Sequence, residues 1–156
     1  MRTMIIREFG DYSSQDSYLY DLAQQPVKDC TGCWSCWWRT PGRCIHKDLN
    51  EFYKEYLKAD KVTIFSKLSL GFVSGNLKTL FDRLIPMALP YIEYSTGESM
   101  HLPRYDKYPE IEVYYEGEFV NQDEELLYKD YLARVFYQFH ISLNLVKPVS
   151  DYNGGC

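Results

Sequence analysis

Short apolar blocks alternate along the chain with stretches whose apolar residues recur at helical spacing. Met4, Ile5 and Ile6 within Thr3–Phe9, the β-branched run Lys61–Leu68 (KVTIFSKL), Ile111–Tyr115 and Leu143–Val149 each suit a buried strand. Helical spacing appears in Phe52, Tyr53, Tyr56 and Leu57, then in Leu77, Leu80, Phe81, Leu84 and Ile85. It recurs in Leu126, Leu127, Tyr131, Val135, Phe136 and Phe139 within Asp123–His140. Asp48 and Ser74 stand where the first two of these helices need N-caps, and Pro86 and Pro90 close the second. Ser17–Gln25 reads two ways. Tyr18, Leu19, Leu22 and Ala23 fit a helix face, whereas Tyr18-Leu19-Tyr20 fits a short strand, and Pro26 ends either one. Gly10–Gln15 and Ser69–Gly75 are loops, and Tyr91–Pro109, with Gly97 and Pro103, is a long excursion.

Strands separated by helices of this length predict βαβ units. The fold class is therefore α/β, a three-layer sandwich around a mostly parallel sheet. The chain, residues 1–156, reads as a single domain. Ligands in such sheets bind beyond the carboxyl ends of the strands. The loops after Phe9, Leu68 and Tyr115 are thus the expected site wall.

Charge and composition narrow the partners. A net charge of −5 argues against nucleic acid, because phosphate binding needs clustered Lys and Arg. No apolar run approaches the roughly 20 residues of a membrane span. Arg2, Arg7 and Glu8 interrupt the first residues, which do not read as a signal peptide, so a cytoplasmic location is expected. Aromatic residues reach 17%, with 15 Tyr, which suits either the interface of a homo-oligomer or a surface that stacks a flat ligand.

Candidate chemistry concentrates in one place. Cys30, Cys33, Cys36 and Cys44 fall within fifteen residues, and Cys156 is incidental. In a reducing compartment such a group reads as metal-binding or redox-active before it reads as disulfides. Two consecutive Cys-x2-Cys steps and a more distant fourth Cys suit a [4Fe–4S] cluster. Zinc sites more often use two Cys-x2-Cys pairs set further apart. Free or redox-active thiols are the other reading. Trp34, Trp37 and Trp38 can shield a cluster or serve as core and interface. His46 is a substitute ligand or an ordinary surface residue.

The segment from Cys30 to Cys44, with Gly32 before the second Cys and Gly42 ahead of the last, resembles the compact cysteine motif of the iron–sulfur flavoproteins and related NAD(P)H-dependent FMN reductases. Leu77-Lys78-Thr79-Leu80-Phe81-Asp82-Arg83 is similar to that family's LKxFxDR helix and follows a strand and a Gly-containing loop in the same order. The resemblance covers roughly Cys30 to Pro90. It implies a flavodoxin-like sandwich, FMN as cofactor, NAD(P)H as co-substrate, and a small-molecule or protein electron acceptor, with the site completed by a second subunit. By the same resemblance Ser69, Gly71, Phe72, Val73, Ser74 and Gly75 line the flavin ring, although the family's usual Pro and Tyr are replaced. An acidic pair usually follows the last Cys, and only Asp48 is present here. No residue is assigned a catalytic role, because hydride transfer through a flavin needs no acid–base pair.

The front of the chain departs from the family. Only eight residues separate Phe9 from Tyr18, too few for the usual phosphate-binding loop and helix, so the first βα unit is shortened. Ser13, Ser14 and Ser17 are the hydroxyls left to hold an FMN phosphate, flanked by Asp11 and Asp16. The rival expectation is a non-enzymatic module of the same fold that has lost FMN and uses its cysteines for metal or partner binding. Asp82 and Arg83 are expected to form an ion pair that orients their helix, with Lys78 facing solvent. His101 lies in the long excursion, where the resemblance implies residues that cover the flavin of a neighbouring subunit and leaves a role in nicotinamide access open, and His140 serves as a helix C-terminal charge or a core residue.

Overall fold

A computed structural model of the chain describes residues 1–154, and Cys156 lies outside them. In chain order the elements are β1 (Thr3–Arg7), β2 (Ser17–Asp21), a one-turn helix α1 (Ser35–Trp38), α2 (Asn50–Lys58), β3 (Lys61–Lys67) and α3 (Gly75–Asp82). A 3₁₀ turn at Ile85–Met87 leads to β4 (Ala88–Glu93), β5 (Met100–Pro103), β6 (Glu110–Glu116), α4 (Gln122–Gln138) and β7 (Leu143–Pro148). The main sheet is parallel throughout, in the order β2-β1-β3-β6-β7. Its central strands are near-continuous apolar runs because both of their faces are covered.

One face carries the large core. Met4, Ile6, Val62, Ile64, Ile111 and Val113 meet Phe52, Tyr56, Leu77, Leu80, Leu132 and Phe136 from α2, α3 and α4. The other layer is thin and built from loops. Ile5, Phe65 and Tyr114 are covered by Phe9 and Tyr12 from the β1–β2 connection and by Val149 and Tyr152 after β7. Tyr12 lies flat on Phe65, with ring centroids 3.9 Å apart and planes 7° from parallel. Gly10 makes this possible. Its φ is +67°, and a side chain there would meet the Tyr12 ring at 2.6 Å.

The first βα unit is shortened as expected. Residues 8–16 join β1 to β2 without a helix, and Ser17–Asp21 takes the strand alternative. A five-residue strand spans only about 17 Å, which nine extended residues can retrace. The excursion after α3 is an antiparallel hairpin of β4 and β5, with Pro90 inside β4. Within α4 the buried stripe is Tyr128, Leu132 and Phe136, whereas Leu126 and Leu127 face outward. Asp48 does not cap α2, whose N-cap Leu49 makes no side-chain bond, but Ser74 caps α3 by accepting from the Leu77 N–H at 3.0 Å. Among the described residues no helix is long and apolar enough to cross a membrane.

Candidate functional site

The connections leave β1 towards β2 on one side and β3 on the other, so the strand order reverses between β1 and β3. Parallel sheets form a crevice at the carboxyl ends of the strands at such a point. Here it is a recess of about 330 Å³ walled by Glu8 after β1, Leu22 and Ala23 after β2, Lys67 to Ser69 at the tip of β3, and Ser74 and Asn76 at the start of α3. A tight turn closes its rim. The Phe72 N–H donates to the Ser69 carbonyl at 3.1 Å, and Leu70 and Gly71 both have positive φ. Glycine suits position 71 because its φ is +71°, a conformation that L side chains rarely adopt.

Glu8 dominates the recess. The Ser74 hydroxyl donates to its Oε1, and the Lys67 N–H donates to its Oε2 at 2.9 Å. Burial pushes the Glu8 carboxyl above its ordinary 4.5, against the pull of Ser74 and the Lys67 N–H. A raised carboxyl contributes stability while it is neutral, and that contribution is lost as pH rises through its folded-state value. Glu8→Gln is therefore expected to remove a decline in stability that the wild-type chain shows as pH rises from about 4.5 towards neutrality. Denaturant midpoints measured across that range test this, and identical pH profiles for the two proteins would show that Glu8 is not strained there.

A second cavity, of about 640 Å³, lies between the cysteine segment, α3 and α4. Cys30, Cys33, Cys36 and Cys44 all line it, opposite Phe81, Tyr131, Val135 and Phe139. The segment holds its shape through local bonds. Gly32 and Trp34 take left-handed φ and turn the chain into α1. The Thr40 hydroxyl donates to the Arg43 carbonyl at 2.7 Å, and the Trp37 indole N–H donates to the Ile85 carbonyl at 3.2 Å. Its two ends are clasped by Arg83, whose guanidinium donates to the Lys28 carbonyl before the first cysteine and to the Asp48 carboxylate after the last. Asp48 Oδ2 also accepts from the Lys28 N–H at 3.2 Å.

The four thiols are free and unequal. Cys30 and Cys33 are exposed, Cys44 is half-buried and Cys36 is buried. The Ser35 hydroxyl and N–H hold the Cys33 thiol below its usual range. Burial, with the neighbouring Cys44, Cys30 and Cys33, pushes Cys36 up to about 11. Among the described residues no three His, Cys, Asp or Glu side chains group closely enough to share an ion. The sulfurs therefore surround the cavity without closing on one point. As a donor set they still suit a thiolate-bound metal, since Fe–S and zinc sites are built from such ligands.

The remaining predicted residues divide. Ser69 and Ser74 line the recess. Phe72 turns inward onto Tyr131, with ring centroids 4.5 Å apart, and Val73 is buried in the core. Gly75 opens α3 and is exposed. Ser13, Ser14 and Ser17 are not brought to the recess. Ser17 pairs in register with Thr3 at the amino end of the sheet, and its hydroxyl donates to the Ser14 carbonyl at 3.0 Å. Without a helix after β1 the chain runs straight back to that edge, where the Ser17 hydroxyl holds a turn with Ser14. Arg83 pairs with Asp48, and Asp82 pairs with Lys78. His140 bonds the His101 carbonyl at 2.7 Å, and the His101 ring lies against Trp37, with centroids 4.7 Å apart. The His46 Nε2 is buried without a partner at the edge of the cysteine cavity. Glu8 and Asn76 were not anticipated as site residues. The available signal for Glu8 is an acidic residue between Ile6 and Phe9, inside the Thr3–Phe9 stretch that predicts the first strand.

The strand order and the crevice define a flavodoxin-like α/β protein. Within that class its sequence relatives are iron–sulfur flavoproteins, in agreement with the resemblance carried by the cysteine motif and the Leu77–Arg83 helix. Two such proteins of Methanocaldococcus jannaschii are 29% identical over 93 residues and 37% identical over 65 residues. The matches cover 57% and 41% of this chain but 47% and 32% of the relatives, so less than half of each relative's length is matched. An azoreductase from Bacillus anthracis aligns with a TM-score of 0.57 at 11% identity, over 94% of this chain and 84% of that one. An FMN-dependent NADH-azoreductase from Bacillus anthracis, solved with FMN, aligns with a TM-score of 0.55 at 15% identity, over 96% and 86%. No family model matches the chain.

Proposed function

We propose that this chain is a flavin-dependent oxidoreductase that takes electrons at the strand-tip recess and passes them by way of the cysteine cavity. The observation that carries this reading is the position of α3. Its first turn walls the recess and its second half walls the thiol-lined cavity, and its eight residues span only about 12 Å. The sequence relatives and the fold neighbours named above support the same reading.

The fit to FMN is divided. Leu22, Leu68, Ser69, Ser74 and Asn76 offer an apolar and hydroxyl-bearing wall suited to a flat ring. The residues after β1 do not suit its phosphate. They supply Glu8 and Asp11, and no helix follows to present free N–H groups. A flavin supplies hydride acceptance and one-electron release when bound. Cys30, Cys33, Cys36 and Cys44 would hold an iron–sulfur centre, and Arg83 fixes both ends of the segment that carries them. NAD(P)H is the expected donor, and the acceptor is a small molecule or a protein. A second copy of the chain, supplied by a cytoplasmic homo-oligomer, would complete the recess.

Anaerobic purification followed by an absorption spectrum and flavin, iron and sulfide analysis tests this. The expected result is a protein that takes up flavin and carries iron with acid-labile sulfide. A colourless protein that binds no added flavin overturns the proposal, and stoichiometric zinc in that protein would favour the metal-binding module instead.

A further inference from the structure

We infer that Glu8 sets the ligand class of the strand-tip recess, admitting a flat heteroaromatic ring system without a terminal phosphate in preference to its phosphorylated form. The inference rests on the flavin reading above and deepens it.

Three observations carry it. First, the recess contains one place built for an anion. The Lys67 N–H and the Ser74 hydroxyl converge there at the start of α3, the end of a helix that favours negative charge. That place is filled by the chain's own carboxylate, since Glu8 accepts from both groups. Second, the position is held from both sides. Glu8 follows directly on β1, an interior strand paired with β2 and β3, and the Glu8 N–H donates to the Phe65 carbonyl at 3.0 Å, so the backbone cannot easily swing the carboxylate out. Third, among the described residues the connection after β1 offers no helix N-terminus as a substitute seat. The connection after Glu8 carries Asp11 and runs to the amino end of the sheet, where Ser14 and Ser17 bond one another. Arg7, the nearest guanidinium in sequence, is engaged by Asp21 at 2.8 Å and faces the thin layer with Tyr12. A phosphate brought into the recess therefore meets a like charge where the family fold would offer donors. Of the rest of the wall, Leu22, Ala23, Leu68, Ser69 and Asn76 are neutral, and the one cation, Lys67, lies close enough to Glu8 to offset part of its charge.

The test is a fluorescence-quenching titration of the full chain with riboflavin and with FMN, at neutral pH, for wild type, Glu8→Gln and Glu8→Ala. Wild type should bind riboflavin more tightly than FMN. Both variants should move the ratio of the two affinities towards FMN by about tenfold or more, the scale expected on removing a like charge at close range near a protein surface. Glu8→Gln keeps the size of the side chain and its bond to the Lys67 N–H. A change seen in Glu8→Ala alone would therefore point to altered shape and count against the inference. Wild type that prefers FMN, with a ratio unmoved in both variants, overturns the Glu8 inference while leaving the flavin reading in place. Quenching by neither flavin, in wild type and variants alike, overturns the flavin reading and this inference with it. Far-ultraviolet circular dichroism of each variant separates loss of binding from loss of fold.

Discussion

Replacing Arg83 by Met is expected to destabilise the protein by about 3 kcal/mol, the lower end of the range for removing one partner of a buried ion pair. Arg83 is 1% exposed, one of the most buried large side chains in the molecule. Three groups depend on it. The Lys28 carbonyl and the Asp48 carboxylate accept from its guanidinium, and its own backbone carbonyl accepts from the Tyr53 hydroxyl at 2.6 Å. Met keeps the aliphatic packing and the backbone bond but leaves Asp48 and the Lys28 carbonyl without their donor. Asp48 is partly open to water, so the cost falls at the low end and not the high end of the range. Burial works against the Asp48 carboxylate, yet Arg83 and the Lys28 N–H outweigh it and hold it below its ordinary 3.8. A depressed carboxylate contributes stability above its ordinary value and loses that contribution in acid. The gap between wild type and Arg83→Met should accordingly narrow as pH falls below about 3.8. Urea midpoints at unchanged m-value measure the cost, and a difference below about 1 kcal/mol would show that water already solvates the pair.

This clasp shows where reading the sequence stops. β1, β3, β6, β7 and α4 are legible because each is long or strongly periodic, whereas β4 and β5 fall in a stretch whose Gly and Pro read as an irregular excursion. Ser17–Asp21 is not legible in that way, since five residues with Tyr18, Leu19 and Tyr20 satisfy both periods at once. Asp48 looked like a helix cap by local preference. A guanidinium thirty-five residues later in the chain captured it instead, and nothing local encodes that distance. The cysteines were recognisable by spacing, and they do share one cavity. The candidate phosphate hydroxyls lie away from the recess for a topological reason. Residue type and place after β1 point to Ser13, Ser14 and Ser17, but a connection without a helix runs to the amino end of the sheet, where Ser17 pairs with Thr3. The outward turn of Leu126 and Leu127 reflects the rotation of α4 on the sheet, where Tyr128 and Leu132 compete for the same face and win.

The second large effect is expected at Phe65, whose truncation to Ala should cost about 4 kcal/mol, as for other buried aromatic side chains. Phe65 is fully buried although no helix covers it. It is enclosed by rings: Tyr12 stacked at 3.9 Å, Tyr152 edge-on at 4.8 Å, Tyr114 at 5.9 Å and Phe9 at 6.4 Å. On this side of the sheet the layer consists of aromatic side chains on loops, and its stability must come from their mutual contacts. A double-mutant cycle isolates that contribution. Phe65→Ala and Tyr12→Ala together should be less damaging than the sum of the two by about 1 kcal/mol, the interaction energy of a well-placed aromatic pair. If the cycle closes with no coupling, Tyr12 does not serve as a lid on the sheet, and Phe65 must be protected by Tyr152 and Tyr114 alone. If the coupling is present, the residues between β1 and β2 do the work that a helix does in a full βα unit. The shortened connection then gives up the helix N-terminus that would face a phosphate while still covering the sheet.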